Sequence, residues 1–310
     1  MDLQGRLLAL GLSCAPDNPG RFEAGTEEAL RSFQRSRGLH PDGRCGPDTW
    51  AALVEASWCL GDRLLYRHHR MLRGDDVADL QRRLGGLGFD AGRVDGIFGD
   101  ATAAAVSEFQ RNCGLTVDGI CGPATLAALE RLASRTAGGP VAEVRERERL
   151  RRSGGPAGRM VALGHGGGLD ALVSAVAKAV AGAGARTLSL WEPDWSAQAA
   201  EANGAGADVY LGFSLTPQRA GCLTTFYSGY RYQSPGGRHL ASLLQPRLCQ
   251  ALGVDDLGVE GMRLPVLRET RMPAVLCEIG PPEVVVERMA AVGPAVRSAL
   301  VAWATQPCEP

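Results

Sequence analysis

The sequence predicts a multidomain chain: two small all-α modules of three helices each, then an α/β domain with a mostly parallel sheet covered by helices on both faces. Three observations carry this. Two N-terminal stretches are near copies of one another, apolar residues within them recur at helical spacing between Gly-containing turns, and from Arg159 onward short apolar runs alternate with helical patterns. The expected bounds are 1–58 for the first module, 71–133 for the second, 134–158 for a charged linker and 159–306 for the α/β domain.

The repeat is explicit. DLQGRLLALGL (2–12) matches DLQRRLGGLGF (79–89), and FQRSRGLHPDGRCGPDTWAAL (33–53) matches FQRNCGLTVDGICGPATLAAL (109–129), with the gap between the matched blocks differing by one residue. In the second copy Val77, Leu80, Leu84 and Leu87 give a first helix one apolar stripe, which Gly88 ends. VDGIFGDAT (94–102) reads as a turn and a helix start capped by an Asp or Thr. The helix that follows turns Ala105, Val106 and Phe109 inward and stops at Gly114. VDGICGPAT (117–125) repeats the turn, with Pro123 suited to a first helical turn before Leu126 and Leu129. The first copy has Pro19 and Glu23 where the second has Asp95 and Gly99, so the second is the better-formed module.

Composition narrows the classes. At 310 residues the chain is longer than one core usually serves, and 33 basic against 34 acidic residues leave a net charge of −1. No field gathers nucleic acid, and no apolar run is long enough for a transmembrane helix. The start, MDLQGRLLALGLSC, has Asp2 where a signal peptide carries positive charge, and its letters recur inside the second module. The nine cysteines are odd in number and form no C-x-x-C, as expected of small buried groups in a reducing compartment. A cytoplasmic protein without a signal peptide is expected, with export to the cell wall by an unrecognised route as the alternative.

The pattern LQ..L..LG, then DG.FG..T..AV..FQ...GL..DG..GP.T...L, resembles the peptidoglycan-binding domain found beside cell-wall hydrolases, over essentially residues 1–133. The resemblance implies a shallow groove near the two turns that holds glycan or stem peptide. It marks Asp95, Gly96, Phe98, Gly99, Asp118 and Gly119 as candidate ligand-binding residues. Turn chemistry alone also accounts for these Asp-Gly pairs, and both readings stand at this point.

SRTAGGPVAEVRERERLRRSGGPAG (134–158) combines Gly/Pro pairs with alternating charge and reads as a tether. Beyond it strands are expected at 159–163, 186–191, 207–213, 222–228 and 273–279, with helices at 169–182, 195–203, about 236–252 and up to roughly Trp303. Functional groups on such a sheet lie at the carboxyl ends of strands. His165 in LGHGGG, Ser214 after ADVYLGF and Glu278 at the end of PAVLCEIG stand there. A carboxylate ending a buried apolar strand needs a partner, a metal water or access to solvent, because burying it alone is costly.

GHGG, AEANGAGADVYLGFS and LPVLRETRMPAVLCEIG together resemble the zinc-dependent N-acetylmuramoyl-L-alanine amidases, over about residues 159–305. That family cuts the amide between muramic acid and the first alanine of the stem peptide, with zinc held by His, Glu and His and a second Glu acting on water. The resemblance gives His165 the first ligand position and Glu278 the catalytic carboxylate. The second ligand His falls on Ser214, the loop bearing the Glu ligand is missing, and Gln198 stands where the family has an Arg. Asp170 is a conceivable substitute ligand, and Cys222 or Cys277 a softer one.

The arrangement as a whole is similar to actinobacterial cytoplasmic amidase homologues that regulate peptidoglycan precursor synthesis. Three functions follow as expectations. One is a non-hydrolytic binding or regulatory protein of cell-wall metabolism, without a cofactor, whose partners are peptidoglycan or its precursors and a protein of precursor synthesis. Another is a working zinc amidase with a rebuilt site; a plain wall-binding protein whose second domain is only scaffold stands as a third expectation.

Overall fold

A computed structural model describes residues 2–133, 155–217, 220–230 and 232–305. The linker expected over 134–158 lies outside them as far as residue 154, as does Cys308. The chain divides into two compact units, one containing the repeats and one containing the α/β domain.

Each repeat is three helices: α1 (Asp2–Ala9), α2 (Ala24–Ser36) and α3 (Pro47–Ala56), then α4 (Asp75–Gly86), α5 (Asp100–Asn112) and α6 (Pro123–Ala133). The apolar stripes close two separate small cores. Leu7, Leu30, Phe33 and Leu53 fill the first, and Leu80, Leu84, Phe98, Phe109 and Leu129 the second. Burying such side chains contributes about 1.5–3 kcal/mol each. Phe89 meets Phe109 edge-on at 5.5 Å between ring centres, the arrangement the ring quadrupole favours.

One expectation about helix starts needs correction. The residue before α5 is Gly99, which has no capping side chain, and Thr102 instead turns into the core at 1% exposure. Between the copies, Arg37 and Asp75 form an ion pair at 2.7 Å with side chains 9% and 13% exposed. Both partners sit at helix ends, so the pair ties the close of α2 to the opening of α4.

The second unit runs β1 (Met160–His165), α7 (Asp170–Ala181), β2 (Arg186–Leu190), α8 (Trp195–Gly204), β3 (Val209–Leu215), β4 (Gly221–Gly229) and β5 (Tyr232–Gln233). It continues through α9 (Pro235–Leu252), β6 (Asp256–Met262), α10 (Pro265–Glu269), β7 (Ala274–Gly280) and α11 (Pro282–Thr305). The sheet order is β2-β1-β3-β7-β4-β5, with β6 also on β4. β1 pairs in parallel with β2 and β3, β3 with β7, and β4 with β6, but β4 and β7 are antiparallel. The sheet is therefore mixed, which corrects the mostly parallel sheet expected from alternation. Strand direction depends on which strands become neighbours, and β4 and β7 are far apart in sequence.

Alternation sorts the side chains onto two faces. Val161, Leu163, Val209, Leu211, Phe213, Val275, Cys277 and Ile279 pack against α7, α9 and α11 in one cluster. On the other face Gly164 and Tyr210 meet α8 through Gln198, and Leu267 of α10 is fully buried. β6, absent from the expectations, is DLGVEGM, rich in Gly and acidic residues and with Met262 its one buried residue, so it lacks the apolar signal of a strand. Among the described residues no helix is long and apolar enough to cross a membrane.

Candidate functional site

In the helical modules the Asp-Gly turns are held from inside by glutamine. Gln110, 1% exposed, donates through Nε2 to Asp118 Oδ1 (2.7 Å), Ile120 O (3.0 Å) and Thr125 Oγ1 (3.0 Å). Its Oε1 accepts from the Asp118 and Gly119 amides at 3.2 and 3.0 Å. Gln81 does the same at the first turn, with Asp95, Ile97, Thr102 and Gly96. Gln34 holds Asp42, Arg44, Gly43 and Thr49 in copy one. Gln4 reaches Asn18, Arg21, Thr26 and Gly20, although that turn has lost its Asp-Gly pair.

In that first turn Asp17 supplies the carboxylate, accepting from the Glu23, Gly25 and Thr26 amides. Desolvation pushes its pKa up, but the bonds from Thr26, Gly25 and Glu23 outweigh this and hold the carboxyl below its ordinary range. The Ile120 amide and Gln110 do the same for Asp118. Gly119 sits at φ +70, where only glycine is unstrained.

These glutamines were missed in the sequence although the signal was present as LQ and FQ in both copies. Their role gives Asp95, Gly96, Asp118 and Gly119 a structural task. Phe98, marked as a ligand residue, is fully buried in the module core and presents no side-chain surface, while Gly99 is the residue before α5.

One groove of about 410 Å³ does open on copy two, beside the second turn. Ala103, Ala104 and Ser107 of α5 form one wall, Asp118, Gly119 and Ile120 the floor, and Tyr66 and Arg67 of the inter-repeat segment the other wall. That segment is pinned by mutual backbone bonds between Leu65 and Cys121 (3.3 and 2.8 Å) and by Arg63 gripping the buried Asp76 carboxylate at 2.7 and 3.1 Å. Tyr66 is 39% exposed. Arg67 donates from Nε to Asp100 (2.5 Å) and from Nη1 to His68 O (3.1 Å).

In the α/β unit the three strand-end residues are placed as expected but not gathered. Ser214 and Glu278 are register partners on β3 and β7, and alternation puts both on the face opposite the main cluster. Glu278 is half-buried. His165 registers with Phe213, whose side chain belongs to the main cluster, so its ring leaves β1 toward α7. There Nε2 lies 3.7 Å from Asp170 Oδ1, and Trp191 meets the ring edge-on at 6.0 Å.

The His165 ring is 2% exposed, and Nδ1 accepts from the Gly167 amide at 3.0 Å. The neutral ring then carries its proton on Nε2, which has no hydrogen-bond acceptor in reach. A histidine that ligates a metal ordinarily donates its other ring N–H to an acceptor. Here the other nitrogen faces a donor.

Gln198, fully buried, replaces the expected Arg and ties this corner together. It donates to His165 O (2.9 Å) and Glu192 O (2.5 Å) and accepts from the Tyr210 hydroxyl (2.6 Å). A side chain at Gly164 would stand 1.8 Å from Gln198 Oε1. Cys222 and Cys277 are fully buried among the main cluster, and burial pushes both thiols up, Cys277 to about 12. Metal-binding cysteine must ionise, so these serve as core. Among the described residues no three His, Cys, Asp or Glu side chains are grouped to hold a metal ion.

The chain is similar to known cell-wall proteins. The peptidoglycan binding domain family matches residues 1–53 and 73–129. N-acetylmuramoyl-L-alanine amidase CwlM of Mycobacterium tuberculosis is 37% identical over 84% of this chain and 71% of its own length. N-acetylmuramoyl-L-alanine amidase CwlL of Bacillus licheniformis is 32% identical over 42% of each chain. Among solved structures, the amidase Ami1 of Mycobacterium abscessus aligns with 47% of this chain and 99% of its own, at 18% identity and a TM-score of 0.38. Two peptidoglycan-binding repeats and an amidase-type domain place the protein in cell-wall metabolism, and the chain belongs to the N-acetylmuramoyl-L-alanine amidase family that includes CwlM.

Proposed function

We propose that this protein recognises peptidoglycan or its precursors through its helical repeats and has lost amide hydrolysis, acting as a cytoplasmic binding or regulatory protein whose partner is a protein of precursor synthesis. The supporting observation is the donor set at the carboxyl ends of β1, β3 and β7. Catalytic zinc takes three protein ligands and keeps a fourth position for water. The resemblance puts Ser214 at the second ligand position, and the His165 ring presents an N–H rather than a lone pair at Nε2, so these residues do not fit a zinc hydrolase. No cofactor belongs to this reading.

The test uses the full chain purified without added metal. Zinc is measured by mass spectrometry, and release of stem peptide from muropeptides is followed with zinc supplied, for the wild type and for Glu278→Gln. Substoichiometric zinc and no release from either protein are expected. Tight, near-stoichiometric zinc with release that Glu278→Gln abolishes would establish the second reading, a rebuilt amidase, which the presence of His165 and Glu278 in one domain favours. Pelleting with purified peptidoglycan without capture of any precursor-synthesis protein would leave a plain wall-binding protein.

A further inference from the structure

The two repeats align with a constant offset from residue 24 to 53, so the lining of the copy-two groove has direct counterparts in copy one. Ala103, Ala104, Ser107 and Ile120 correspond to Glu27, Glu28, Arg31 and Arg44. The Glu27 and Arg31 side chains pair with each other one turn apart on α2. They lie directly over Gly43, where an added Cβ would stand 2.8 Å from Glu27 Cγ and 3.1 Å from Arg31 Nε. At Gly119 the same position meets only the Ser107 hydroxyl, at 3.1 Å, and the Ala103 carbonyl, at 3.9 Å. One ion pair fills in copy one the space that two small residues leave open in copy two.

The open groove also has a wall the repeat does not encode. Tyr66 and Arg67 lie between the two matched stretches, 1–53 and 73–129. The Leu65–Cys121 bridge brings them to the second turn. Arg67 has a third nitrogen, Nη2, with no partner among the described residues, while Asp100 and His68 O fix the plane of its guanidinium. Asp118, the carboxylate in the floor, is occupied by Gln110 and the Ile120 amide. The groove thus offers a half-exposed ring, a fixed cation, a hydroxyl on Ser107 and a glycine backbone that a ligand can approach closely. A volume of about 410 Å³ suits a small ligand such as one sugar with a short peptide.

We propose that copy two alone holds the ligand, in the groove between the inter-repeat segment and the second turn, and that this ligand is a sugar carrying a carboxylate-bearing peptide, with the sugar against Tyr66 and a carboxylate paired with Arg67. The proposal rests on the reading of the repeats as peptidoglycan-binding. Aromatic rings offer flat apolar area to a sugar ring, and a planar guanidinium matches a carboxylate. Copy one serves as a closed counterpart that supports copy two through the Arg37–Asp75 pair.

The full chain is titrated calorimetrically with a soluble disaccharide-tetrapeptide and, separately, with chitobiose, which presents rings without a carboxylate. Arg67→Ala is expected to weaken the disaccharide-tetrapeptide by about tenfold, the loss of one charge-assisted bond, and to leave chitobiose unchanged. Ala103→Glu combined with Ser107→Arg transplants the copy-one ion pair and is expected to abolish binding, with an unchanged circular dichroism spectrum showing that the fold survives. Glu27→Ala combined with Arg31→Ser is expected to change nothing, because Tyr66 and Arg67 stand against the second turn of copy two.

Wild-type affinity retained by the transplant overturns the proposal. A wild type that pellets with purified peptidoglycan but ignores the disaccharide-tetrapeptide overturns it too, while sparing the reading beneath it. Neither pelleting nor binding removes both.

Discussion

Truncating Gln110 to alanine removes the side chain that makes five hydrogen bonds inside the second turn. A typical internal hydrogen bond contributes about 1 kcal/mol net, and an unsatisfied buried group costs about 1–3 kcal/mol. Not all five are lost in full. Asp118 is exposed, so water can replace the glutamine at its carboxylate, whereas Thr125 is 3% exposed and the space left at position 110 is closed to solvent. A destabilisation of about 2–3 kcal/mol, confined to the second repeat, is expected.

The measurement is urea-dependent hydrogen exchange on the full chain, read separately on peptides spanning 105–129 and 160–215. The α/β peptides should be unmoved, and Gln250→Ala, at an exposed position of α9, should cost nothing measurable. Gln110→Glu tests the chemistry further. It removes both amide N–H donors and sets a second carboxylate 2.7 Å from Asp118 Oδ1, so it should harm the repeat more at pH 7 than at pH 4. A loss below about 0.5 kcal/mol for Gln110→Ala, within the range of ordinary surface substitutions, would refute the argument that these glutamines hold the turns.

Gly164→Ala should destabilise the α/β unit by about 2–3 kcal/mol, because the new methyl overlaps Gln198 Oε1 and the Tyr210 hydroxyl at 1.8 and 2.6 Å; thermal unfolding followed by circular dichroism checks this. Burial raises the Cys121 thiol from 9.0 to about 11. Its folded-state pKa is thus above the unfolded one, so its stabilising contribution is complete below pH 9 and is lost as pH rises toward 11. The loss reaches at most about 2–3 kcal/mol, and Cys121→Ala should flatten the fall in urea midpoint between pH 8 and 10.5.

The sequence by itself determined the repeat, the three helices of each copy and most strands and helices of the α/β unit. Those depend on period: apolar residues at 3.6-residue spacing bury one helix stripe, and apolar runs between glycines make strands, whatever their neighbours are. It also placed His165, Ser214 and Glu278 at strand ends. What it left open was every property set by a partner distant in the chain.

Nothing in the spacing of Gln4, Gln34, Gln81 and Gln110 marks them as turn-holding residues, since burial of an amide is favourable only where its hydrogen-bond partners converge, and folding placed a turn around each. β6 carried too little apolar signal to be seen, and the antiparallel meeting of β4 with β7 came from pairing rather than pattern. Tertiary structure alone decided that His165 and Glu278 leave the sheet on opposite faces, because the face a side chain takes follows from strand register. It alone also brought Tyr66 and Arg67, outside both repeats, to the one turn whose α5 neighbours are small enough to leave room beside them.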